Sequence, residues 1–230
     1  MIRRSLSIIF LLALLVPQLF SAPSAFARQR PVRASSFRLE QNPNVTLGNR
    51  LYITVDGTER RITSQALDAW LIDGGKSVVY SWLDGSGGFE NEGQSLRIYD
   101  VATGRTRKIL SEYVGIVALM PVRVSNGKLA LLVKMADGGL GASYFAVVDP
   151  RRGEVFFKPL AELSDVAGDR IKLAFYDVDD WEEILESRSG EPDDSNRVIS
   201  HTKVKAKRVE THGLKQILKM RTIYNKRSPM

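Results

Sequence analysis

Two acidic stretches carry side chains that could bind a cation or a sugar. In "LDGSGGFENEGQS" (residues 83–95), Asp84, Glu90 and Glu92 lie among glycines. Carboxylates on a flexible loop are typical ligands of Ca²⁺. The spacing matches neither an EF-hand loop nor a phosphate-binding loop, because no Gly-Lys-Ser or Gly-Lys-Thr follows. We therefore predict a solvent-exposed hairpin loop and no cofactor; the alternative is a ligand site at Asp84, Glu90 and Glu92 that binds Ca²⁺.

The second stretch is "YDVDDWEE" (176–183). In an extended strand, Asp177 and Asp179 would project from one face, because side chains alternate. Paired carboxylates can bind a cation or divide the acid and base roles of glycoside hydrolysis, and Trp181 could stack on a sugar ring. The alternative is a charged strand end or loop whose tryptophan packs against a neighbouring strand. The candidate ligand-binding residues are thus Asp84, Glu90, Glu92, Asp177, Asp179 and Trp181.

The sequence contains few residues that could support nucleophilic catalysis or zinc binding. "DGSGG" lacks the first glycine of G-x-S-x-G, so it does not predict a nucleophile elbow. The chain has two histidines, His201 and His212, and no cysteine, which is a poor set of zinc ligands. We predict no catalytic residue and no metal site. A glycan hydrolase that uses Asp177, Asp179 or Glu182 stays open as the alternative.

The first residues predict export. "MIRR" is a basic start, residues 6–20 form a short apolar run, and Ala25-Phe26-Ala27 supplies the small residues of a cleavage site. Together these features are typical of a secretory signal peptide, residues 1–27. We expect no transmembrane segment after cleavage and a location in the periplasm or outside the cell. Because the chain has no cysteine, neither disulfides nor thiolate metal ligands can stabilise it.

The formal net charge is +7, and the excess is concentrated in residues 201–209 and 215–227. Such basic stripes can bind nucleic acid, but we expect no nucleic-acid partner for an exported protein. We interpret them as a solvated strand face and a basic tail. The predicted organisation is a flexible lead-in (28–37), one β-repeat domain (38–214) and a basic C-terminal tail (215–230).

Internal repeats organise the middle of the chain. "DGGKSVVYSW" (73–82) matches "SNGKLALLVK" (125–134), since each is a Gly-Lys turn followed by an apolar strand. "LRIYDVATGRTRKIL" (96–110) matches "YFAVVDPRRGEVFFKPL" (144–160), and "LYITVDGTERRIT" (51–63) is a shorter version of the same hairpin.

The spacing of the turn glycines sets the length of the repeat. Gly57, Gly104 and Gly153 lie 47 and 49 residues apart. A period of about 40–50 residues indicates repeated four-stranded units. The sequence therefore predicts an all-β protein built of repeated four-stranded antiparallel meanders. Arg105, Arg107 and Lys108 do not recur as a set with the scaffold residues, so we interpret them as its solvent-exposed face.

The repeats also carry a family resemblance. "AWLIDGGKSVVYSW" (69–82) resembles the W-S-P-D-G-K-x-x-V-Y-S element of TolB-like and dipeptidyl-peptidase-IV-like β-propeller blades, with Leu71-Ile72 in place of Ser-Pro. "LRIYDVATGRTRKIL" resembles the L-Y-V-Y-D-V-A-T-G-K-x-R-x-L hairpin of the same blades. The resemblance covers residues 64–160 and part of 49–63. It implies a small or incomplete β-propeller; the alternative is a β-sandwich of the same meanders.

These features predict an exported, non-catalytic binding or structural module for a protein or polysaccharide ligand. We expect binding at the loop face formed by residues 83–95, 136–143 and 183–196. Two alternatives stay open. One is the glycan hydrolase, and the other is an accessory subunit that docks on an envelope protein by adding a strand to an unpaired sheet edge.

Overall fold

The computed structural model describes residues 31–44, 48–84, 93–112, 115–136, 142–188, 197–200 and 202–223. All elements within these ranges belong to the unit Val32–Met230. The strands are β1 (Ala34–Gln41), β2 (Asn49–Val55), β3 (Thr58–Ile72), β4 (Ser77–Leu83), β5 (Gln94–Asp100), β6 (Thr106–Glu112), β7 (Gly115–Arg123), β8 (Leu129–Ala136), β9 (Ser143–Asp149), β10 (Gly153–Pro159), β11 (Ala161–Ala167), β12 (Arg170–Phe175) and β13 (Arg208–Gly213). The helices are α1 (Asp180–Arg188) and α2 (Leu214–Ile217), and a 3-10 turn covers Asp73–Gly75.

The strands form three sheets in chain order. Sheet 1 contains β1 to β6, sheet 2 contains β7 to β10, and sheet 3 contains β11 to β13. Each strand pairs antiparallel with its neighbour in sequence, as short connections favour. No sheet closes on itself. The prediction of an all-β fold built of antiparallel meanders is confirmed.

The long strand β3 belongs to two meanders. Its first part pairs with β2, from Thr58 opposite Val55, and its second part pairs with β4, up to Ile72 opposite Ser77. The register shifts beside Ala66 in both pairings, and such bulges bend and twist a strand. Sheet 1 is therefore a three-stranded meander joined through β3 to a four-stranded one, and sheet 2 is a second four-stranded meander.

Glycines with positive φ make the hairpin turns that the sequence predicts. Asp56 (φ 49°) and Gly57 (φ 77°) form the tight turn between β2 and β3, which requires positive φ at both central positions. Gly104 (φ 69°) and Gly153 (φ 107°) lie at the ends of the β5–β6 and β9–β10 turns. These three hairpins are confirmed, and the sequence repeat behind them stays a prediction.

The core consists of apolar layers between successive meanders. In β8, Leu131, Val133 and Met135 pack against sheet 1, while Leu132 packs against sheet 3. A strand that is buried on both faces reads as a continuous apolar run, as "LALLV" does. Each buried large aliphatic side chain contributes about 1.5–3 kcal/mol. The stacking of the sheets thus supplies the stability that disulfides cannot.

Two elements lie across the predicted boundaries. Strand β1 begins at Ala34, inside the expected lead-in, because Ala34 is 5% exposed and packs in the core of sheet 1. The expected tail begins with α2, where Ile217 and Leu218 are 1% exposed. These two apolar side chains lie in the layer between sheets 2 and 3, whereas Lys215, Gln216 and Lys219 around them are exposed.

The two α-helices in the described ranges are short, with nine residues in α1 and four in α2. None of the helices there has the length and apolar character that a membrane crossing requires.

Candidate functional site

Asp84, the first predicted ligand residue, is held by protein partners. Its carboxylate accepts hydrogen bonds from Ser95 Oγ (3.0 Å), Arg97 Nη2 (3.1 Å) and Lys108 Nζ (3.2 Å). The Arg97 guanidinium also lies 4.4 Å from the centre of the Trp82 ring. Two cations therefore balance the charge of Asp84 at the end of β4. Glu90 and Glu92 lie outside the described residues.

The second acidic stretch forms the start of a helix, so the predicted strand geometry was wrong. Strand β12 ends at Phe175, residues 178–179 form a turn, and α1 begins at Asp180. Asp180 Oδ2 accepts a hydrogen bond from the backbone N–H of Asp177 (2.7 Å). Acidic residues stabilise the first turn of a helix, because the helix dipole is positive there. Asp177 and Asp179 thus lie before a helix and do not share a strand face.

Ion pairing also occupies Asp177. Its carboxylate pairs with Lys207 Nζ, and this hydrogen bond raises the pKa of Lys207. Among the described residues, no group of three or more His, Asp or Glu side chains is placed to hold a metal ion. The predicted carboxylates that the structure describes therefore form no metal-binding group of this size.

Trp181 lies in the core. Its side chain is 1% exposed and meets the Tyr176 ring edge-on, with the ring centroids 5.4 Å apart. Ala142, Ala174 and Ile184 complete the cluster around it. The indole attaches α1 to sheet 3 and does not present a face to a sugar, so the alternative interpretation of this residue, packing against a neighbouring strand, fits its position.

A different site lies between sheets 1 and 2, at the turns that the repeat analysis assigned to scaffold. Four turns, at residues 73–76, 100–106, 123–128 and 149–152, border a cavity of about 1010 Å³, which we call the cationic cleft. It is lined by Ile72, Asp73, Lys76, Ser77, Ile98, Asp100, Arg105, Thr106, Arg107, Arg123, Asn126, Gly127, Lys128, Leu129, Asp149, Pro150, Arg151 and Arg152. Sheet stacking brings together turns that are far apart in sequence.

The aspartates that end β5 and β9 fix the turns behind them. Asp100 Oδ1 accepts hydrogen bonds from the backbone N–H (2.7 Å) and Oγ1 (2.8 Å) of Thr103, and the N–H bond lowers the pKa of Asp100. Asp149 Oδ1 accepts from the Arg151 N–H (2.8 Å), and its Oδ2 pairs with Arg152 Nε (2.7 Å). Side-chain bonds of this kind stabilise turns locally. They also set the positions from which the neighbouring basic side chains extend.

One ion pair joins the two sheets across the cleft. Arg123 Nη2 pairs with Asp73 Oδ1 (2.9 Å), and Arg123 Nη1 donates to the Gly127 carbonyl (3.0 Å). The hydrogen bond from Arg123 lowers the pKa of Asp73. Lys76 Nζ lies 3.9 Å from the other carboxylate oxygen of Asp73. Both cations thus share a single carboxylate.

Arg107 brings a half-buried charge to the cleft. Its Nη2 donates to the Pro150 carbonyl, whereas Nη1 is buried and has no hydrogen-bond partner among the described residues. Burial lowers the pKa of Arg107, and the nearby charge of Asp149 acts in the opposite direction. A buried cation without a carboxylate in contact is costly. An anion in the cleft would offset part of that cost.

Positive charge is in excess over the whole lining. Seven Lys or Arg residues face three Asp residues. Arg105, Lys128 and Arg151 are exposed, and none of them forms a salt bridge with a residue in the described part of the chain. We call these three residues the unpaired cations. They extend from three different turns and leave the cleft open to a soluble anion.

The cleft is not among the sites predicted from the sequence, although the residues of its turns are visible there. Each of the four turns carries a basic residue close to its turn residues: Lys76, Arg105, Lys128 and Arg151. This recurrence was the available signal. Taken hairpin by hairpin, each basic side chain is an ordinary exposed residue, and only the packing of sheet 1 on sheet 2 places the four turns around one cavity.

The chain matches no protein-family model, and no curated protein matches it.

Proposed function

We propose that the protein is an exported, non-catalytic binding module, and that the cationic cleft holds its ligand, an anion. The single observation that carries this proposal is the set of unpaired cations, Arg105, Lys128 and Arg151, in a cavity of about 1010 Å³. Basic side chains that line a recess attract anions more strongly than the same charges on a flat surface. Arginine is well suited to binding carboxylate or phosphate groups with two parallel hydrogen bonds.

The remaining parts of the proposal rest on the sequence. Residues 1–27 have the pattern of a secretory signal peptide, which supports export. The propeller-blade resemblance of residues 64–160 supports a stack of blade-like meanders as the scaffold, and binding at the turn end of adjacent blades agrees with that architecture.

The positions of the acidic residues in the second acidic stretch do not support a catalytic function. A carboxylate hydrolase needs two carboxyl groups about 5–10 Å apart that face the substrate. Asp177 is paired with Lys207, and Trp181 is buried beneath α1. The binding function is therefore the one that the geometry favours.

Neutralising the unpaired cations tests the proposal. The variant R105Q/K128Q/R151Q is compared with wild type for binding to dextran sulfate oligosaccharides by isothermal titration calorimetry. We expect its Kd to rise about tenfold, since the variant removes three ionic contacts that contribute about 0.2–1 kcal/mol each. Increasing salt should weaken wild-type binding and reduce the difference between the two proteins.

The control variant is R60Q/R170Q/K172Q, which removes the same charge from exposed residues outside the cleft. We expect its Kd to stay within about twofold of wild type, and both variants to keep the wild-type Tm. Equal weakening by the two variants would show that net charge attracts the polymer without a site, and the proposal would then be wrong.

A further inference from the structure

We infer that the ligand of the cationic cleft is an acidic polysaccharide, a chain that offers carboxylates and hydroxyl groups together. This inference rests on the proposed function and narrows it to one chemical class. The lining combines three features that such a ligand matches: unpaired cations, exposed carboxylates and an aliphatic floor.

The carboxylates in the lining favour the binding of a sugar acid over that of a simple polyanion. Asp73 and Asp100 are exposed within the lining, and hydrogen bonds from Arg123 and Thr103 respectively lower the pKa of each, so both are ionised at neutral pH. A ligand that carries only phosphates or carboxylates is attracted by the cations of the lining, but it donates no hydrogen bond to these two carboxylates and is repelled by them locally. A sugar hydroxyl is a donor, and its hydrogen bond to an ionised carboxylate is among the stronger ones.

The apolar part of the lining is aliphatic. Ile72, Ile98, Leu129 and Pro150 contribute to the wall, and the lining contains no aromatic residue. Stacked aromatic side chains are the usual platform for nucleobases, so the cleft is poorly suited to nucleic acid. The C–H faces of sugar rings can pack against such aliphatic side chains through dispersion contacts.

Cavity size favours a segment of a chain over a single ion. Small-molecule pockets typically enclose about 300–1,000 Å³, and the cleft, at about 1010 Å³, lies at the upper end of that range. Its cations extend from several turns of two sheets, so they suit charges that are spread along a ligand. Repeated acidic sugar units present their charges in that way.

The wild-type protein provides the first test, which needs no variant. Binding is measured for four probes of similar length: oligogalacturonate, polyglutamate, polyphosphate and neutral dextran. We expect oligogalacturonate to bind at least about fivefold more tightly than polyglutamate or polyphosphate, and dextran not to bind. A tighter complex with polyphosphate or polyglutamate would overturn the inference.

The second test asks whether one substitution weakens or strengthens the binding of each probe. Asp100→Asn removes a charge but keeps the oxygen that accepts from Thr103. We expect it to weaken oligogalacturonate binding about threefold or more, because the hydroxyl loses a charged acceptor, and to strengthen polyglutamate and polyphosphate binding. Asp56→Asn is the matched control, since it makes the same charge change at a turn outside the lining. It should leave all affinities within about twofold.

The outcomes separate this inference from the proposed function. If Asp100→Asn strengthens the binding of every anionic probe, the inference of an acidic polysaccharide is wrong, and the cleft is a site for simple polyanions. If R105Q/K128Q/R151Q binds all the anionic probes as tightly as wild type does, the proposed function itself fails.

Discussion

Acidic and basic side chains at the turns of the cleft have different roles. Asp100 and Asp149 are occupied by hydrogen bonds within their own turns, whereas Arg105 and Arg151, on the same two turns, form no salt bridge with any described residue. Asp149 both fixes a backbone N–H and pairs with a cation, since its Oδ1 accepts the Arg151 N–H while its Oδ2 pairs with Arg152. The positive charge of the cleft therefore comes from the excess of basic residues in its lining, and the turn bonds fix the positions from which these residues extend.

The Arg123–Asp73 ion pair gives a prediction on ionisation. In the variant Arg123→Gln, the pKa of the Asp73 carboxyl should rise towards its ordinary value of about 3.9, because its strongest partner is lost. Carboxyl ¹³C NMR titration measures this pKa directly. The pair stabilises the folded protein above that ordinary value, and its contribution disappears as the pH falls through the lowered folded pKa.

Arg170→Gln is the control for this titration, because Arg170 is exposed and lies outside the cleft. It should leave the Asp73 pKa unchanged. An Asp73 pKa that does not respond to Arg123→Gln would contradict the ion pair. Since both side chains are largely exposed, its effect on the free energy of unfolding should stay below about 1 kcal/mol.

Trp181 predicts a large effect on stability. Trp181→Ala should lower the free energy of unfolding by about 3–5 kcal/mol, because it empties the space between α1 and sheet 3. Val178→Ala is the control, since Val178 is 54% exposed. Chemical denaturation measures both, and a Trp181→Ala variant as stable as the control would contradict the buried indole.

At the scale of elements, turn residues and apolar runs predicted the hairpins well. Positive φ at Gly57, Gly104 and Gly153 follows from their turn positions. Helix α1 was missed because "YDVDDWEE" can be read as an alternating strand. Two features favour the helix over the strand: the hydrogen bond from the Asp177 N–H to Asp180, and the burial of Trp181. The burial of Trp181 depends on the tertiary structure, so it could not be predicted from this stretch alone.

The contact between β1 and the 3-10 turn gives a prediction at this scale. Gly75 has φ +80°, and a Cβ there would lie 2.1 Å from the Ala34 carbonyl oxygen, so Gly75→Ala must displace the backbone. Gly127 has φ +79°, but its Cβ would meet nothing within 4 Å. Gly127→Ala should cost about 1–2 kcal/mol from the left-handed conformation alone.

Overpacking should make Gly75→Ala less stable than Gly127→Ala by about 1–3 kcal/mol. Thermal or chemical denaturation of the two variants measures the difference. Because their φ values are nearly equal, the comparison isolates the contact with β1. Equal costs would mean that β1 does not pack against this turn.

At the scale of the whole molecule, the stacking of the sheets creates both the core and the cleft. The sequence predicted meanders, but it could not predict which ends of them would meet, because that depends on contacts between residues far apart in the chain. The basic residue in each of four turns acquires a shared environment only when sheet 1 packs on sheet 2. The expected loop face, at residues 83–95, 136–143 and 183–196, lies largely outside the described residues.

Stacking also explains why the C-terminal residues belong to the domain. Leu218→Ala should lower the free energy of unfolding by about 2–5 kcal/mol, because its side chain is buried between sheets 2 and 3. Met220→Ala, at a position 44% exposed, should change it by less than about 1 kcal/mol. Similar changes in the free energy of unfolding for the two variants would indicate that residues 215–223 form the predicted tail and do not pack in the domain.

The most direct test of the cationic cleft is to map where an anion binds. Amide chemical shifts of the ¹⁵N-labelled protein are followed by NMR as dextran sulfate oligosaccharides are added. The changes should concentrate in the four turns, residues 73–76, 100–106, 123–128 and 149–152. Changes centred instead on residues 201–209, or spread evenly over all basic residues, would contradict the cleft as the binding site.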